Sequence, residues 1–198
     1  MRIVAGKFGG RRLQAPPGNE TRPTVERVRE ALFSILGPSV VGARVLDCYA
    51  GSGSLGIEAL SRGAASVVFI DKGQVPAGIV RDNLASLGLT QNHLARVLQR
   101  AVEDCASLLR TLGPFDMVFV DPPFAAVRDR SALEAVAALV RAEILAQDAL
   151  VVIEFPSNQP TPRIAGLDEE SVRPYGDTRL AFLRPAKNQQ NGDKVLEA

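Results

Sequence analysis

The chain has 198 residues and a formal net charge of +1, with 46% hydrophobic and 23% charged residues. This length and composition are those of a single globular domain with short appendages. No apolar run approaches the roughly 20 residues of a transmembrane helix, and the N-terminus lacks the apolar centre of a signal peptide, so a cytoplasmic location is expected. Cys48 and Cys105 lie far apart and His93 is the only histidine, which argues against a zinc site or a Ser-His-Asp triad.

The first 38 residues are predicted to form a β-hairpin and a basic helix. Residues 2–13 contain two extended pieces around a glycine-rich turn. Over residues 24–36 apolar side chains recur at helical spacing, and Gly37-Pro38 ends the pattern. Residues 1–30 carry seven basic and three acidic side chains, a net charge of +4, so the rest of the chain sums to −3. Such an extension is either a phosphate-binding arm or a solvated surface.

Residues 39–184 alternate between strands and helices, which predicts a Rossmann-like α/β domain. The near-continuous apolar strands indicate a parallel sheet covered on both faces. Two extended segments near the C-terminus flank Tyr175-Gly176-Asp177 and predict an antiparallel hairpin at the sheet edge. Residues 185–198 are polar and predicted to be a disordered tail. The predicted strands are 44–47, 66–71, 95–99, 116–120 and 149–155, and the predicted helices are 54–61, 75–87, one ending at 109, and 131–139.

A glycine-rich run from Asp47 to Gly56 joins the first strand to the first helix. Glycines there permit a tight turn and a close approach to a ligand at the carboxyl edge of the sheet. The positions of Gly51, Gly53 and Gly56 also satisfy the dinucleotide fingerprint, so spacing alone does not exclude NAD. A carboxylate just before the loop would repel a pyrophosphate and better suits a ligand with an ammonium group.

Asp71 ends the second predicted strand, 24 residues after Asp47. An acid at that place can bind both ribose hydroxyls of an adenosine cofactor. S-adenosylmethionine carries adenosine, an amino acid group and a sulfonium, so it matches both acids. Alternatively, either carboxylate only caps the helix that follows it.

The tetrapeptide Asp121-Pro122-Pro123-Phe124 directly follows the apolar run 117–120. An ionised aspartate is an acceptor and could hold an exocyclic amino group. The Pro-Pro step ends the strand and leaves carbonyl oxygens available, and the phenylalanine ring could stack on a flat base. Together they would orient a nitrogen lone pair, which is catalysis by positioning. The alternative is an ordinary turn.

These motifs, in this order, resemble the RsmD family of class I S-adenosylmethionine-dependent methyltransferases. The run from Asp47 resembles motif I, and residues 121–124 resemble the [DN]-P-P-[YFW] motif of amino-methyltransferases. Residues 22–33 are similar to the family's RPT-x-x-RVREALF segment, and residues 2–7 and 175–178 are similar as well. The similarity spans about residues 1–184. One departure is Gly73-Gln74-Val75-Pro76, which follows Asp71-Lys72 where the family usually has a charged pair.

The resemblance implies methyl transfer to the N2 amino group of a guanine in 16S ribosomal RNA, at an unpaired or flipped base. It also implies a monomer that acts on a small-subunit assembly particle, with no metal. Alternatives are another amino-methyltransferase such as an adenine-N6 enzyme, a nicotinamide dehydrogenase, or a catalytically silent assembly factor. The implied catalytic residues are Asp121, Pro122, Pro123 and Phe124; the cofactor-binding residues are Asp47, Tyr49, Ala50, Gly51, Gly53, Ser54, Asp71, Lys72 and Ala101; the RNA-binding residues are Arg2, Lys7, Arg11, Arg12, Arg22, Thr24 and Arg27.

Overall fold

The computed structural model describes residues 1–16, 23–90 and 93–187. Arg22 and residues 188–198 therefore lie outside the described residues, as does the side chain of Thr24. No helix in these ranges is long and apolar enough to cross a membrane.

The described residues form one seven-stranded sheet. Its order is β3-β2-β1-β4-β5-β7-β6. The first five strands are parallel to their neighbours, whereas β7 is antiparallel to β5 and β6 is antiparallel to β7. This confirms the predicted Rossmann-like sheet with an antiparallel C-terminal hairpin. The strands are β1 (Arg44–Cys48), β2 (Ser66–Ile70), β3 (Ala95–Leu98), β4 (Phe115–Val120), β5 (Leu145–Pro156), β6 (Leu167–Tyr175) and β7 (Thr178–Pro185).

The helices agree with the predicted pattern except for one short addition. The five-residue helix α5 was not predicted, because one turn and a half is too short to show a periodicity. Short 3₁₀ helices occur at Gly37–Val40 and Val102–Cys105. The α-helices are α1 (Pro23–Leu36), α2 (Ser54–Ser61), α3 (Gln74–Ser86), α4 (Ala106–Leu112), α5 (Phe124–Arg128) and α6 (Ser131–Arg141).

The C-terminal strands are longer than predicted. β5 begins at Leu145 rather than at 149, and β7 continues through Pro185. The Ala186 N–H donates to the carbonyl of Gly166 at 2.9 Å, so the chain stays attached to the sheet where the tail was predicted to begin. The length of these strands is not evident from the sequence, because their ends contain polar residues. Backbone pairing with a neighbouring strand holds these residues in the sheet.

Two hydrophobic clusters cover the two faces of the sheet. One contains buried residues of α1, α2 and α3, and the other contains buried residues of α4, α5 and α6. In the first cluster the rings of Phe33 in α1 and Phe119 in β4 meet edge to face, with centroids 5.7 Å apart. Helix α1 is therefore part of the main core and not a separate appendage.

The N-terminal hairpin packs against the same core. Arg2 and Arg12 form one antiparallel bridge, and Ile3 and Leu13 are 1% and 5% exposed. At Gly6 the backbone has φ +82°, and an added Cβ would lie 2.0 Å from the carbonyl oxygen of Ser61 in α2. Only glycine permits this approach, so the hairpin touches α2 backbone to backbone.

Candidate active site

The loop after β1 has the strained conformation that its glycines permit. Tyr49, Gly51 and Gly53 have φ of 61°, 57° and 77°, and a tyrosine in the left-handed region is uncommon. Gly56 meets another requirement, because an added Cβ would lie 2.3 Å from Cε1 of Phe69 in β2. The third glycine of the motif thus allows α2 to pack closely on the sheet.

Asp47 lies under this loop and is 1% exposed. Its Oδ2 accepts the backbone N–H of Gly56 at 2.9 Å, which is a helix-capping contact in the first turn of α2. Burial raises the pKa of Asp47 to about 7, with a smaller increase from Asp71 and an opposing effect of the Gly56 bond. The sequence leaves two roles open for Asp47, helix capping and cofactor binding. The Gly56 contact is a capping contact, and direct cofactor binding by Asp47 stays a prediction.

Asp71 connects the ends of two loops at the carboxyl edge of the sheet. Its Oδ2 accepts the Gly51 N–H at 2.9 Å and its Oδ1 accepts the Gly73 N–H at 2.8 Å. A carboxylate has about four acceptor sites, so both oxygens can still accept hydroxyl groups. These remaining acceptor sites fit the ribose hydroxyls of S-adenosylmethionine.

The contact between positions 73 and 76 explains the unusual sequence that follows Asp71. Gly73 precedes α3, and an added Cβ would lie 2.8 Å from Cδ of Pro76. Proline in the first helical turn loses no intrahelical hydrogen bond, but its ring occupies the space of a side chain at position 73. Gly73 and Pro76 therefore form a matched pair, and the hydrogen bond to Asp71 is kept.

The other predicted cofactor residues surround the same edge. Ala50 is buried, whereas Tyr49 and Ser54 are half-buried and Lys72 is exposed. Ala101 follows β3 and precedes the 3₁₀ helix Val102–Cys105. The ends of β1, β2 and β3 thus bring the predicted set to one side of the sheet, as the carboxyl-edge rule requires.

The tetrapeptide 121–124 leaves β4 beside the glycine loop, since Val120 pairs with Cys48 of β1. Pro122 is buried, while Asp121 and Pro123 are exposed. The Pro123 carbonyl accepts the Ala126 N–H at 2.8 Å, whereas no backbone N–H of the described residues donates to the Pro122 carbonyl. Phe124 is a large apolar side chain that is 41% exposed. An available acceptor and a free ring are what the amine-holding interpretation needs.

Asp121 lines a pocket between α1 and the carboxyl ends of β4 and β5. The pocket is open to solvent, and its cavity volume is about 30 Å³. Apolar side chains form most of its wall, and the charged side chains in it are those of Arg29, Asp121 and Glu154. The lining residues are Val28, Arg29, Leu32, Ser54, Leu55, Phe119, Val120, Asp121, Val152, Glu154 and Leu180.

Glu154 is a site residue that the sequence analysis missed. It follows the apolar run 150–153 of β5 as Asp121 follows that of β4, so the same pattern could have identified it. The pKa of Asp121 is raised well above its ordinary value by burial of the carboxyl among protein atoms, then by Glu154 and Asp47. Although residue 121 as a whole is exposed at the pocket mouth, its carboxyl group is poorly solvated. Burial also raises the pKa of Glu154, and a hydrogen bond from Thr178 opposes this.

Five of the predicted RNA-binding residues are described with their side chains, and all are exposed: Arg2, Lys7, Arg11, Arg12 and Arg27. Arg2 is paired with Glu26 at 3.5 Å, and Arg11 donates to the Ser86 carbonyl in α3. Arg22 and the side chain of Thr24 lie outside the described residues. Arg29 belongs to the same basic helix but is 2% exposed, so it is not available to a phosphate on the surface.

Comparison with known proteins identifies the family. Residues 1–184 match the family described as "Conserved hypothetical protein 95". The chain is also 37% identical to the ribosomal RNA small subunit methyltransferase D of Escherichia coli K12 over 198 residues. This alignment covers 98% of this chain and 94% of that one. The chain belongs to this family, the RsmD family. The protein of the same title from Haemophilus influenzae is 36% identical over 160 residues, 81% of each chain.

Solved structures agree with this assignment. The YhhF protein of Escherichia coli superposes with a TM-score of 0.78 and 35% identity, over 94% of this chain and 99% of that chain. A Thermus thermophilus protein superposes with a TM-score of 0.74 and 28% identity, over 92% and 98%. The predicted class I methyltransferase fold and the resemblance to the RsmD family are confirmed, and the dehydrogenase alternative is not supported.

Proposed function

We propose that this RsmD-family methyltransferase transfers a methyl group from S-adenosylmethionine to the exocyclic N2 of a guanine in 16S ribosomal RNA. The observation that carries the proposal is the position of Asp121, whose strand pairs with β1 through Val120 and Cys48. The carboxylate that would hold the amine therefore adjoins the loop that would hold the methyl donor. Its relatives are titled ribosomal RNA methyltransferases, which supports the reaction type and the substrate class.

The cofactor would be held by the edge formed by β1, β2 and β3. Asp71 would accept the ribose hydroxyls, and the loop at Gly51 and Gly53 would pass close to the ligand backbone because neither residue has a side chain. Asp47 would stabilise this loop from below through Gly56. When bound, S-adenosylmethionine supplies an electrophilic methyl group on a sulfonium.

The amine would be held by residues 121–124. Asp121 and the Pro122 carbonyl would accept its two hydrogens, and Phe124 would cover one face of the base. Guanine N2 is a weak nucleophile because its lone pair is delocalised into the ring, so fixing the hydrogens favours a more pyramidal nitrogen. The methylated nitrogen must then lose one proton. Because its pKa is raised, Asp121 would accept this proton more readily than an ordinary carboxylate.

The RNA would contact the N-terminal hairpin and α1. The exposed basic side chains there would neutralise phosphates, which gives affinity that falls with salt and depends little on sequence. The hairpin packs directly on the backbone of α2 at Gly6, and this contact would orient its charges relative to the domain. We propose that the protein is a cytoplasmic monomer. We also propose that it acts on an assembling small subunit, because phosphate contacts from so small a basic surface do not encode the choice of site.

The direct test is mass mapping of 16S ribosomal RNA from cells with and without this protein. Loss of one N2-methylguanine on deletion is expected. Unchanged methylation would indicate the silent assembly factor, and loss of an N6-methyladenine would indicate the adenine enzyme.

A variant separates the amine site from the cofactor site. Asp121→Ala should abolish transfer and leave S-adenosylmethionine affinity nearly unchanged, because Asp121 is assigned to the amine. Asp148→Ala, exposed on β5, is the matched control and should retain activity. An equal loss of cofactor affinity in Asp121→Ala would show that the assignment is wrong.

A further inference from the structure

Two carboxyl groups, not one, face the amine pocket. Val120 of β4 pairs with Ile153 of β5, so Asp121 and Glu154 are the next residues on adjacent parallel strands. Both line the pocket. The second carboxyl therefore lies beside the group assigned to the amine, at the same edge of the sheet.

Thr178 holds Glu154 in a defined orientation. The Thr178 hydroxyl lies 3.1 Å from Oε1 of Glu154 and 3.1 Å from the carbonyl oxygen of Phe155, so its single proton is shared between these two acceptors. Thr178 is itself 7% exposed at the start of β7, so this contact is shielded from competing water. No donor among the described residues reaches the other oxygen, Oε2. Glu154 thus has one oxygen fixed by the protein and one available as an acceptor.

The bases that carry an amino group differ in the ring atom beside it. In guanine N2 lies next to N1–H, which is a donor. In adenine N6 lies next to N1, and in cytosine N4 lies next to N3, and both of these are acceptors. A second fixed acceptor next to the amine site is therefore complementary to guanine and repels the other two.

We propose that Glu154 accepts the N1–H of the target base and so selects guanine over other bases that carry an amino group. This inference rests on the proposed function, because it assumes that Asp121 holds N2. It gives Glu154 a contact with the substrate and gives Thr178 the role of a positioning residue.

The electrostatics of the pocket agree with this assignment. Two carboxyl groups in one pocket disfavour each other's ionisation. Burial raises the pKa of both, and Glu154 raises that of Asp121 further. Arg29 also lines the pocket, but its ion pair is with Glu58. An arrangement that costs stability without a ligand is typical of a binding site, and the adjacent N1–H and N2–H donors of guanine would satisfy both acids at once.

The test compares guanine with 2-aminopurine at the target position of 16S ribosomal RNA, free and assembled with small-subunit proteins. 2-Aminopurine keeps the amine at C2 but has an acceptor at N1. For the wild-type protein we expect kcat/KM to be roughly 10- to 100-fold lower with 2-aminopurine. Glu154→Gln can turn its NH₂ toward that acceptor, so the preference should fall to within about threefold. Glu169→Gln, an exposed glutamate on β6, should keep the wild-type preference.

A second readout does not depend on catalysis. The fluorescence of 2-aminopurine reports binding of the base, so Glu154→Gln should bind the 2-aminopurine RNA more tightly than the wild-type protein does. 2-Aminopurine also lacks O6, but the change between wild type and variant isolates Glu154 because both proteins meet the same two RNAs.

The outcomes separate the two proposals. If the wild-type protein methylates both RNAs equally, or if Glu154→Gln keeps the wild-type preference, the role of Glu154 is wrong while the N2 reaction stands. If neither RNA acquires an N2-methyl group, the proposed function itself fails. Should Glu154→Gln not fold, Thr178→Val decides, because it keeps the carboxyl and should reduce the guanine preference severalfold.

Discussion

Replacing the buried Glu58 by alanine should destabilise the protein far more than removing a carboxylate from the surface. Glu58 lies on α2 and is 1% exposed. Its carboxylate accepts the backbone N–H groups of Val4 at 2.7 Å and Ala5 at 3.0 Å, and the Nε of Arg62 at 2.7 Å. It is also the ion-pair partner of Arg29, with Nε 3.9 Å from Oε2. One side chain thus holds the hairpin, α1 and α2 together.

The magnitude follows from what alanine would leave behind. Arg29 is 2% exposed, and its Nε and Nη1 have no hydrogen-bond partner among the described residues. Burial lowers the pKa of Arg29 and Glu58 raises it, so Glu58 is what favours the buried charge. Removing one partner of a buried pair costs about 3–5 kcal/mol. For a chain of this length each kcal/mol lowers Tm by about 2–4 °C, so a decrease of roughly 6–20 °C is expected.

The assay is urea unfolding with a matched exposed pair as control. Arg184 Nε lies 2.7 Å from Oε2 of Glu170, the distance found between Arg62 and Glu58, but both of these side chains are nearly half exposed. Exposed pairs contribute about 0–1 kcal/mol, so Glu170→Ala should change the free energy of unfolding by no more than that. Equal losses in Glu58→Ala and Glu170→Ala would refute the reasoning, because burial would then have no effect.

The double variant Glu58→Gln with Arg29→Met tests the cause. If the cost comes from an unpaired buried charge, removing the arginine as well should recover part of the stability. The Gln oxygen retains one acceptor for Val4 and Ala5, and Met fills a similar volume. A double variant less stable than Glu58→Ala would mean that the ion pair itself, and not the unpaired charge, accounts for the loss.

Three further predictions concern the glycine loop. Burial raises the pKa of Asp47 to about 7, so its ionisation destabilises the native state increasingly as pH rises from about 4 to about 7. Asp47→Asn keeps an acceptor for the Gly56 N–H but does not ionise. In this variant the difference in unfolding free energy between pH 5 and pH 8 should be smaller by about 3 kcal/mol. Gly56→Ala should lower stability by about 1–3 kcal/mol in thermal unfolding, because its Cβ meets Phe69. Asp71→Ala should weaken S-adenosylmethionine binding in calorimetry before it affects RNA binding, and the opposite order would contradict its assignment to the ribose.

The sheet could be predicted because its signals are local. Each parallel strand is an apolar run followed by a helix with its own periodicity, and this determines the layer arrangement. Helix α5 and the early start of β5 at Leu145 were not predictable in the same way. The helix is too short to show a period, and the first residues of β5 are held by pairing with Phe115, a contact that a sequence does not display.

The site was predictable in part for a related reason. Asp47 lies near the carboxyl end of β1, and Asp71 and Asp121 directly follow β2 and β4, so the carboxyl-edge rule places them together. Glu154 satisfies the same rule, but its strand lacks the glycine or proline motif that draws attention to the others. The fixed orientation of Glu154 depends on Thr178, 24 residues away, and hydrogen bonds between distant residues have no local signature.

The N-terminal segment has a structural role that its sequence does not indicate. Its positive charge suggests an arm that extends toward RNA, yet Val28 and Leu32 of α1 line the same pocket as Asp121. The pocket is complete only when α1 is docked, and α1 is held both by core packing of Phe33 on Phe119 and by the ion pair of Arg29 with Glu58. If the pocket holds the base as proposed, weakening the Glu58 contacts should reduce base binding as well as stability. We propose that, because the hairpin and α1 pack in one core cluster, phosphate contacts made by the hairpin would help to position a base at Asp121.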